Sequence, residues 1–320
     1  MVFKLKHNTL MRLTTGLVLV VALPGLLFLI LWPLAGVRIA LSAAVALILV
    51  VAYGFFFGWR HIVVRKCTCT SSMLPPEKDG YRILQISDIH IGTYLRNRHF
   101  VDRLVAKANA QGADLIVFTG DLVNVSAEEL IPFRHTLSQL HAPDGVFSIM
   151  GNHDYCEYMA DKSEHNIDRN QHALRYLESK MGWHILLNEH VLLPGGMALI
   201  GVENSSRPPF PDYGDLKKAM TGLSDGMFKI LLTHDPSHWR REVLRHTDIA
   251  LTLSGHTHAG QLRIWRFSPA KWAYSEWGGK YTESGQMLHV SQGVGGTVPF
   301  RIGAWPEINV IELKYKPLSI

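Results

Sequence analysis

Five short segments of the sequence combine aspartate, histidine and asparagine in patterns that suit metal binding. The segments are Asp88-Ile89-His90, Gly120-Asp121, Gly151-Asn152-His153-Asp154, Thr233-His234-Asp235 and Gly255-His256-Thr257-His258. One such segment is a weak indication, because a lone histidine is more often a surface or core residue than a ligand. The mixture of carboxylate, amide oxygen and imidazole donors suits Mn, Fe or Zn better than Mg or Ca. The five together predict a metal site.

The spacing within two segments lets paired side chains face one cavity. Asp88 and His90 are two residues apart, and so are His256 and His258. Residues two apart in extended backbone project to the same side, so each pair is expected to point inward. Glycines at positions 120, 151 and 255 permit tight backbone turns beside the ions.

Each segment follows directly after a predicted strand. Strands are predicted over residues 82–87, 114–119, 146–150, 198–202, 229–233, 249–253, 287–291 and 308–313, and helices over 98–111, 127–140 and 167–181. Strands separated by helices indicate an α/β layered fold with a largely parallel or mixed sheet. Sites in such sheets gather at the carboxyl ends of the strands, where the five segments fall.

The order D-x-H, G-D, G-N-H-D, H-D and G-H-T-H resembles the calcineurin-like metallophosphoesterase superfamily, from Arg82 to the C-terminus. Residues 254–261 read S-G-H-T-H-A-G-Q and, with 293–295, 299–301 and 306–308, look like its bacterial membrane-associated phosphodiesterase branch. That branch includes enzymes resembling UDP-2,3-diacylglucosamine pyrophosphatase, which act in lipid A assembly. The resemblance implies a layered sandwich of mixed sheets flanked by helices, and hydrolysis of phosphoric esters or anhydrides.

The resemblance also implies two divalent metal ions, with Mn as the first candidate and Fe or Zn as the others. One ion would be held by Asp88, His90, Asp121 and His258, and the second by Asp121, Asn152, His234 and His256. Asp121 would then bridge the two ions. Two ions roughly 3.5–4 Å apart lower the pKa of a bound water and hold the phosphoryl oxygens for in-line attack.

His153 is implied to lie over the substrate phosphate, where it stabilises charge or protonates the departing oxygen. In some family members an acid three residues after the bridging aspartate orients this histidine, and here that residue is Asn124. An asparagine accepts a hydrogen bond but does not balance an imidazolium as a carboxylate does. The sequence therefore predicts His153 and Asn124 as catalytic residues, with a weaker acid than in those members.

Several residues near the segments have two interpretations each. Arg207 and Arg301 are candidates for gripping a substrate phosphate in a fork, and the alternative is ordinary surface pairing. Asp154 and Asp235 either fix the tautomer of a neighbouring imidazole or serve as turn and cap residues.

An aromatic and basic stretch follows the last segment. It contains Trp265, Arg266, Lys271, Trp272, Tyr274, Trp277, Lys280 and Tyr281. Aromatic rings mixed with lysine and arginine favour a membrane interface, which predicts a lipid-facing lip beside the metals. The alternative is that these rings pack a loop onto the domain.

The N-terminal region predicts a membrane hairpin. Residues 13–37 and 39–59 lack charge apart from the single Arg38 between them, and each stretch is long enough to span about 30 Å of hydrocarbon. A cleaved signal peptide and a buried helical hairpin are the alternatives. The predicted organisation is a hairpin over 1–66, a polar connector over 67–80 and a metallophosphoesterase domain over 81–320.

Basic residues around the hairpin predict its orientation. Lys4, Lys6, Arg12, Arg60, Arg65 and Lys66 flank the outer ends, whereas the turn carries only Arg38. The positive-inside rule then predicts a two-pass inner-membrane protein with a cytoplasmic catalytic domain. The net charge of +5 includes these flanks, so membrane lipid is the expected partner and nucleic acid is not.

Three functions of different classes fit the sequence. The first is hydrolysis of a phosphodiester or pyrophosphate bond in a lipid-linked substrate such as UDP-2,3-diacylglucosamine. The second is a nucleotide or nucleic-acid phosphodiesterase, which predicts activity independent of lipid. The third is a non-enzymatic scaffold, which the complete set of predicted ligands disfavours.

Overall fold

A computed structural model describes residues 13–317 of the chain. The strands are β1 (Val63–Ser71), β2 (Arg82–Ile86), β3 (Leu115–Thr119), β4 (Val146–Ile149), β5 (His184–Ile185), β6 (Glu189–Leu193), β7 (Met197–Gly201), β8 (Lys229–Leu232), β9 (Leu251–Ser254), β10 (Gly279–Glu283), β11 (Gln286–Val290) and β12 (Glu307–Tyr315). The α-helices are α1 (Leu23–Ala35), α2 (Val37–Phe56), α3 (Arg98–Asn109), α4 (Arg134–Leu137), α5 (Glu164–Lys180) and α6 (Leu216–Ala219).

The strands form two mixed six-stranded sheets. The first has the order β1-β12-β2-β3-β4-β5, in which only the β12–β2 pair is antiparallel. The second has the order β10-β11-β9-β8-β7-β6, with antiparallel pairs at both edges and parallel pairs between them. The predicted α/β fold with mixed sheets is confirmed.

Alternation along the strands divides the hydrophobic core into layers. Ile83 of β2 and Ile230 of β8 belong to one buried cluster between the sheets. Their neighbours Leu84 and Leu231 point the other way, into the clusters on the two outer faces. Side chains of successive strand residues lie on opposite faces, so both sheets are covered on both sides. The result is a helix–sheet–sheet–helix sandwich.

The helix predicted over 127–140 is largely wrong. Residues Ala127–Phe133 form a 3₁₀ helix, and only Arg134–Leu137 is α-helical. Pro132 lies within the first part, and because proline lacks a backbone N–H and fixes its own φ, it disfavours a continuous α-helix there.

The polar connector predicted over 67–80 is also corrected. Residues Val63–Ser71 form strand β1, which pairs in parallel with Glu307–Tyr315 of β12. Cys69 of β1 and Leu74 after it are buried in the core between the sheets. Trp59 and Ile62, just before β1, are buried on the outer face of the first sheet. The chain therefore enters the domain directly from the hairpin, without a polar spacer.

Two helices near the N-terminus are long and apolar enough to cross a membrane. They run over Leu13–Ala35 and Val37–Arg60 and are joined at Gly36, whose φ of 81° only glycine adopts freely. Most of their large apolar side chains are exposed, including Leu34 and Leu49. Water disfavours such a surface, whereas lipid accommodates it. The predicted flanking charges at 4, 6 and 12 lie outside the described residues.

Candidate metal centre

The five predicted segments meet at one edge of the sandwich. Three of them follow β2, β3 and β4 of the first sheet, and two follow β8 and β9 of the second. Parallel neighbours end at the same edge, so the residues that follow them are brought together. The side chains of all four predicted histidine ligands, at positions 90, 234, 256 and 258, lie together at this edge.

Four of the predicted ligands form a first group. One donor atom from each of Asp88, His90, Asp121 and His258 lies within 4.8 Å of the others. The two Nε2 atoms of His90 and His258 are 3.2 Å apart, and Nε2 of His258 is 3.5 Å from Oδ1 of Asp88. Electron-pair donors at such distances repel unless a proton or a cation lies between them. A cation fits this arrangement.

A second group shares one member with the first. Donor atoms of Asp121, His234 and His256 lie within 4.8 Å of one another. Nε2 of His234 is 3.3 Å from Oδ2 of Asp121, and Nε2 of His90, from the first group, lies 3.5 Å from the same oxygen. Asp121 therefore belongs to both groups, as a ligand that bridges two metal ions would.

Unpaired buried atoms provide a test of whether cations fit. Nδ1 of His234 donates to the carbonyl oxygen of Thr119 at 2.7 Å, which leaves Nε2 as the electron-pair donor facing Asp121. That Nε2 and Oδ1 of Asn152 are buried and have no hydrogen-bond partner among residues 13–317. Unpaired buried acceptors are costly, and ligation by a cation removes the cost. The donor set thus fits two divalent ions.

The backbone of the site is left-handed at five of the predicted ligands. Their φ angles are 51° at Asp88, 48° at His90, 61° at Asp121, 73° at His256 and 50° at His258. Such angles are uncommon outside glycine and cost about 1 kcal/mol or more each. The paired side chains do converge as predicted. They do so because of these left-handed turns, not because of extended-strand alternation, and that part of the prediction is wrong.

Two glycines allow the close packing of these turns, and one aspartate fixes their backbone by hydrogen bonds. A Cβ atom at Gly120 would lie 2.6 Å from Nδ1 of His234, and one at Gly151 would collide with Oδ1 of Asp121. The carboxylate of Asp154 accepts four backbone N–H groups, from residues 121, 122, 123 and 151. Asp154 therefore organises the loop backbones and does not fix an imidazole tautomer. Asp235 accepts the N–H of Ser237, which is a turn contact.

Burial lowers the pKa of three of the four predicted histidine ligands and keeps their imidazoles neutral. Burial lowers the pKa of His90 to about 3 and that of His256 to about 4, and it holds the pKa of His258 well below its usual value. Burial alone raises the pKa of Asp121, but the neighbouring histidines, His234 first, hold it well below its usual value. Burial also lowers the pKa of His234, but Asp121 outweighs this and raises it to about 10. Ligation requires the neutral imidazole, so a cation held by His234 would displace that proton.

His153 lies at the mouth of the centre. Its backbone N–H donates to Oδ1 of Asp121 at 2.9 Å, and its ring Nδ1 donates to the backbone carbonyl of Asn124 at 2.7 Å. The side chain of Asn124 instead donates to Oγ1 of Thr93 at 3.1 Å. Asn124 thus orients His153 through its carbonyl, which corrects the predicted role of its side chain. The ring Nε2 of His153 stays available to a substrate.

The two candidate arginines differ in surroundings. Arg207 is exposed and borders a cavity of about 250 Å³ that Phe210 and Tyr274 also line, beside His256. Arg301 is buried, and its guanidinium donates to the carbonyls of Gly295 and Ala304 and lies 3.3 Å from Nδ1 of His258. The interpretation of Arg301 as a substrate-gripping residue is therefore corrected, since its donors are taken up within the protein.

Sequence reasoning missed two tyrosines that touch the centre. The hydroxyl of Tyr158 accepts from Nδ2 of Asn152 at 3.0 Å, and its ring lies 4.4 Å from that of His153. The hydroxyl of Tyr274 lies 2.7 Å from Nε2 of His256. Tyr274 stood in the predicted aromatic stretch, whereas Tyr158 carries no local signal because its contact depends on the loop after β4.

Arg301 also links His258 to the hairpin. Its backbone N–H donates to the carbonyl of Gly54 in α2 at 3.3 Å, and a Cβ atom at Gly58 would collide with its carbonyl oxygen. We expect Gly58→Ala to displace this loop and lower kcat/KM about tenfold or more, because small misplacements near the chemistry are costly. Steady-state kinetics and the metal content of the purified full chain measure the effect.

Gly25→Ala is the matched control for that substitution. A Cβ atom at Gly25, which also lies in the hairpin, meets nothing within 4 Å. The control should keep full metal content and activity. Equal behaviour of the two variants would contradict a link between the hairpin and the metal centre.

Several known proteins are similar in sequence to this chain. Residues 81–260 match the family model of calcineurin-like phosphoesterases. The metallophosphoesterase YkuE of Bacillus subtilis (strain 168) is 31% identical over 82% of this chain and 89% of that protein. A transmembrane protein with a metallophosphoesterase domain from Danio rerio is 32% identical over 75% of this chain and 55% of that protein. UDP-2,3-diacylglucosamine pyrophosphatase LpxG of Chlamydia muridarum is 25% identical over 74% of this chain and 85% of that protein.

The family match covers more than half of the chain and contains all five metal-binding segments. Members of the family typically bind two divalent metals, and the two groups of donors around Asp121 are a candidate site for them. The resemblance seen in the motifs is confirmed, as is the class of enzyme. The chain belongs to the calcineurin-like phosphoesterase family and is a metal-binding hydrolase of phosphoric esters.

Proposed function

We propose that this protein is a membrane-anchored, binuclear phosphoesterase that hydrolyses a phosphodiester or pyrophosphate bond in a lipid-linked substrate. The observation that carries the proposal is the position of Asp121 between two groups of buried donors. The first ion would be held by Asp88, His90, Asp121 and His258, and the second by Asp121, Asn152, His234 and His256. Two bound divalent ions, with Mn as first candidate, supply Lewis-acid activation of water and phosphate.

The chain's own residues complete the chemistry. His153, fixed by the carbonyl of Asn124, presents Nε2 to the substrate and donates a hydrogen bond or a proton to the departing oxygen. Arg207, exposed at the cavity beside His256, is the candidate for binding a second phosphate or a head group. The ring of Tyr158 packs against that of His153 and limits how far the imidazole can turn.

Membrane anchoring rests on the hairpin and on the relatives. The two apolar helices are long enough to span a bilayer, and a Danio rerio relative is named as a transmembrane protein. The basic residues at the outer ends of the hairpin favour an inner-membrane location with a cytoplasmic domain. LpxG, a relative at 25% identity, makes UDP-2,3-diacylglucosamine the first substrate to try.

The test uses the full-length protein in detergent micelles after removal of metal. Mn, Fe, Zn, Ni or Mg is added back, and hydrolysis of bis-p-nitrophenyl phosphate is measured first. UDP-2,3-diacylglucosamine is then compared with the same nucleotide sugar without acyl chains. We expect restoration by Mn and a kcat/KM at least tenfold higher for the acylated substrate.

Two other results would change the proposed function. Equal rates with and without acyl chains would favour a nucleotide phosphodiesterase. Failure to bind any of the metals would contradict the catalytic proposal and favour a scaffold.

A further inference from the structure

A loop of the catalytic domain lies against the end of the membrane hairpin. Val298 and Phe300 form a buried cluster with Val51 of α2, and the rings of Phe300 and Phe55 are 4.8 Å apart. Val51 lies about 8 Å along the helix axis before the end of α2 at Phe56, at 1.5 Å per residue. The loop therefore runs beside the last turns of a helix that is long and apolar enough to cross a membrane, not beyond its end.

A second loop is fastened to the first. The N–H of Arg263 donates to the carbonyl of Ile302 at 2.8 Å, and the N–H of Ile302 donates to the carbonyl of Gln261 at 3.1 Å. Residues 264 and 267 then close a tight turn with reciprocal hydrogen bonds of 2.9 Å. The turn thereby follows a segment that is bonded to Ile302, and Ile302 packs against the cluster that contains Val51 of α2.

This turn and the 3₁₀ helix Pro269–Trp272 that follows it expose large apolar side chains. Trp265 is 92% exposed, Trp272 is 76% exposed and Ile264 is 58% exposed. Trp277 and Tyr281 of the same predicted stretch are only partly exposed and pack onto the domain. The tryptophans of the stretch thus divide, and only Trp265 and Trp272 in its first part are largely exposed. We name Ile264, Trp265 and Trp272 the lip.

The cationic side chains beside the lip favour an anionic lipid surface as its partner. Nζ of Lys271 lies 5.0 Å above the ring of Phe267, and Arg266 stands between Trp265 and Phe267 in the chain. Aromatic rings with adjoining cations are the combination that settles at the head-group level of an anionic bilayer. A protein partner would have to share this position with the bilayer around α2.

We infer that the lip rests in the lipid interface beside α2, so that the metal centre opens at the membrane surface. The inference rests on the proposed function, because it requires the hairpin to lie in the bilayer. His258 lies six residues before Ile264, the first residue of the lip, and Oγ of Ser268 donates to the carbonyl of Ala259 at 2.5 Å. A phosphate at head-group depth then reaches the centre while its acyl chains stay in the bilayer.

Site-specific quenching tests the depth of the lip. Trp265→Cys and Trp272→Cys are made in the full chain with Cys67→Ser, labelled with an environment-sensitive fluorophore and reconstituted in nanodiscs containing anionic phosphatidylglycerol. Some of the lipid carries a nitroxide quencher near its head group. Leu192→Cys is the negative control, because Leu192 is exposed and pairs with Ala198 at the amino end of β7, away from the metal edge. Leu49→Cys in α2 is the positive control.

We expect the two lip labels to be quenched at least threefold more than the label at 192. Quenching at 265 and 272 equal to that at 192, with strong quenching at 49, would overturn the lip and leave the anchored enzyme intact. Absence of quenching at 49 as well would overturn both the lip and the membrane anchoring in the proposed function.

Discussion

Replacing Asp121 by alanine is expected to abolish hydrolysis, with a fall in kcat/KM on the order of 10³-fold or more, because both groups of donors lose their shared member. The purified variant should also hold fewer than two ions per chain. Asp121→Asn keeps the shape and one amide oxygen but removes the charge, so it should retain no more than one ion. Metal analysis and steady-state kinetics on the full-length protein measure both effects.

An exposed aspartate provides the control for loss of a carboxylate. Asp225 is exposed in the turn before β8, and Asp225→Ala should leave metal content and activity unchanged. Two ions retained in Asp121→Ala would contradict the bridging position.

Replacing His153 by alanine should lower kcat by about 10²–10⁴-fold while the metal content stays complete, since its imidazole transfers a proton or stabilises charge without holding an ion. The loss should be smallest for substrates whose leaving group needs no proton, such as p-nitrophenyl esters. Comparison of a p-nitrophenyl diester with an alkyl diester therefore measures the acid role directly.

Asn124→Ala gives the matched test for how His153 is held. The backbone carbonyl that accepts from Nδ1 of His153 survives this substitution, whereas the side-chain contact with Thr93 is lost. We expect a decrease in kcat of less than tenfold. A loss as large as that of His153→Ala would show that the side chain, not the carbonyl, orients the histidine.

Much of the site could be predicted from the sequence, because each ligand is identified by its residue type and by its position just after a strand. Each ligand follows a buried strand by two to four residues, and strands of this kind are recognisable from their apolar composition and pattern. The eight strands predicted after residue 81 are all present, with shifts of one or two residues at their ends. The shared edge of the sheets then follows from the parallel topology.

Features that depend on contacts between residues far apart in the sequence were not predicted. Strand β1 looks polar and follows a long apolar helix, and its pairing with β12 joins residues more than 240 positions apart. The carbonyl of Asn124 orients His153, but a backbone atom leaves no trace in residue type. Arg301 resembled a surface cation, and only the surrounding carbonyls show that it is internal.

The position of β12 has a consequence for biosynthesis. This strand lies between β1 and β2, so the first sheet stays divided until residues 307–315 have left the ribosome. The hairpin, by contrast, is available for insertion as soon as the first sixty residues have emerged. With the proposed anchoring, membrane insertion precedes completion of the catalytic domain, which then closes onto a hairpin already in place. A nascent chain stalled before β12 is then expected to be anchored but inactive.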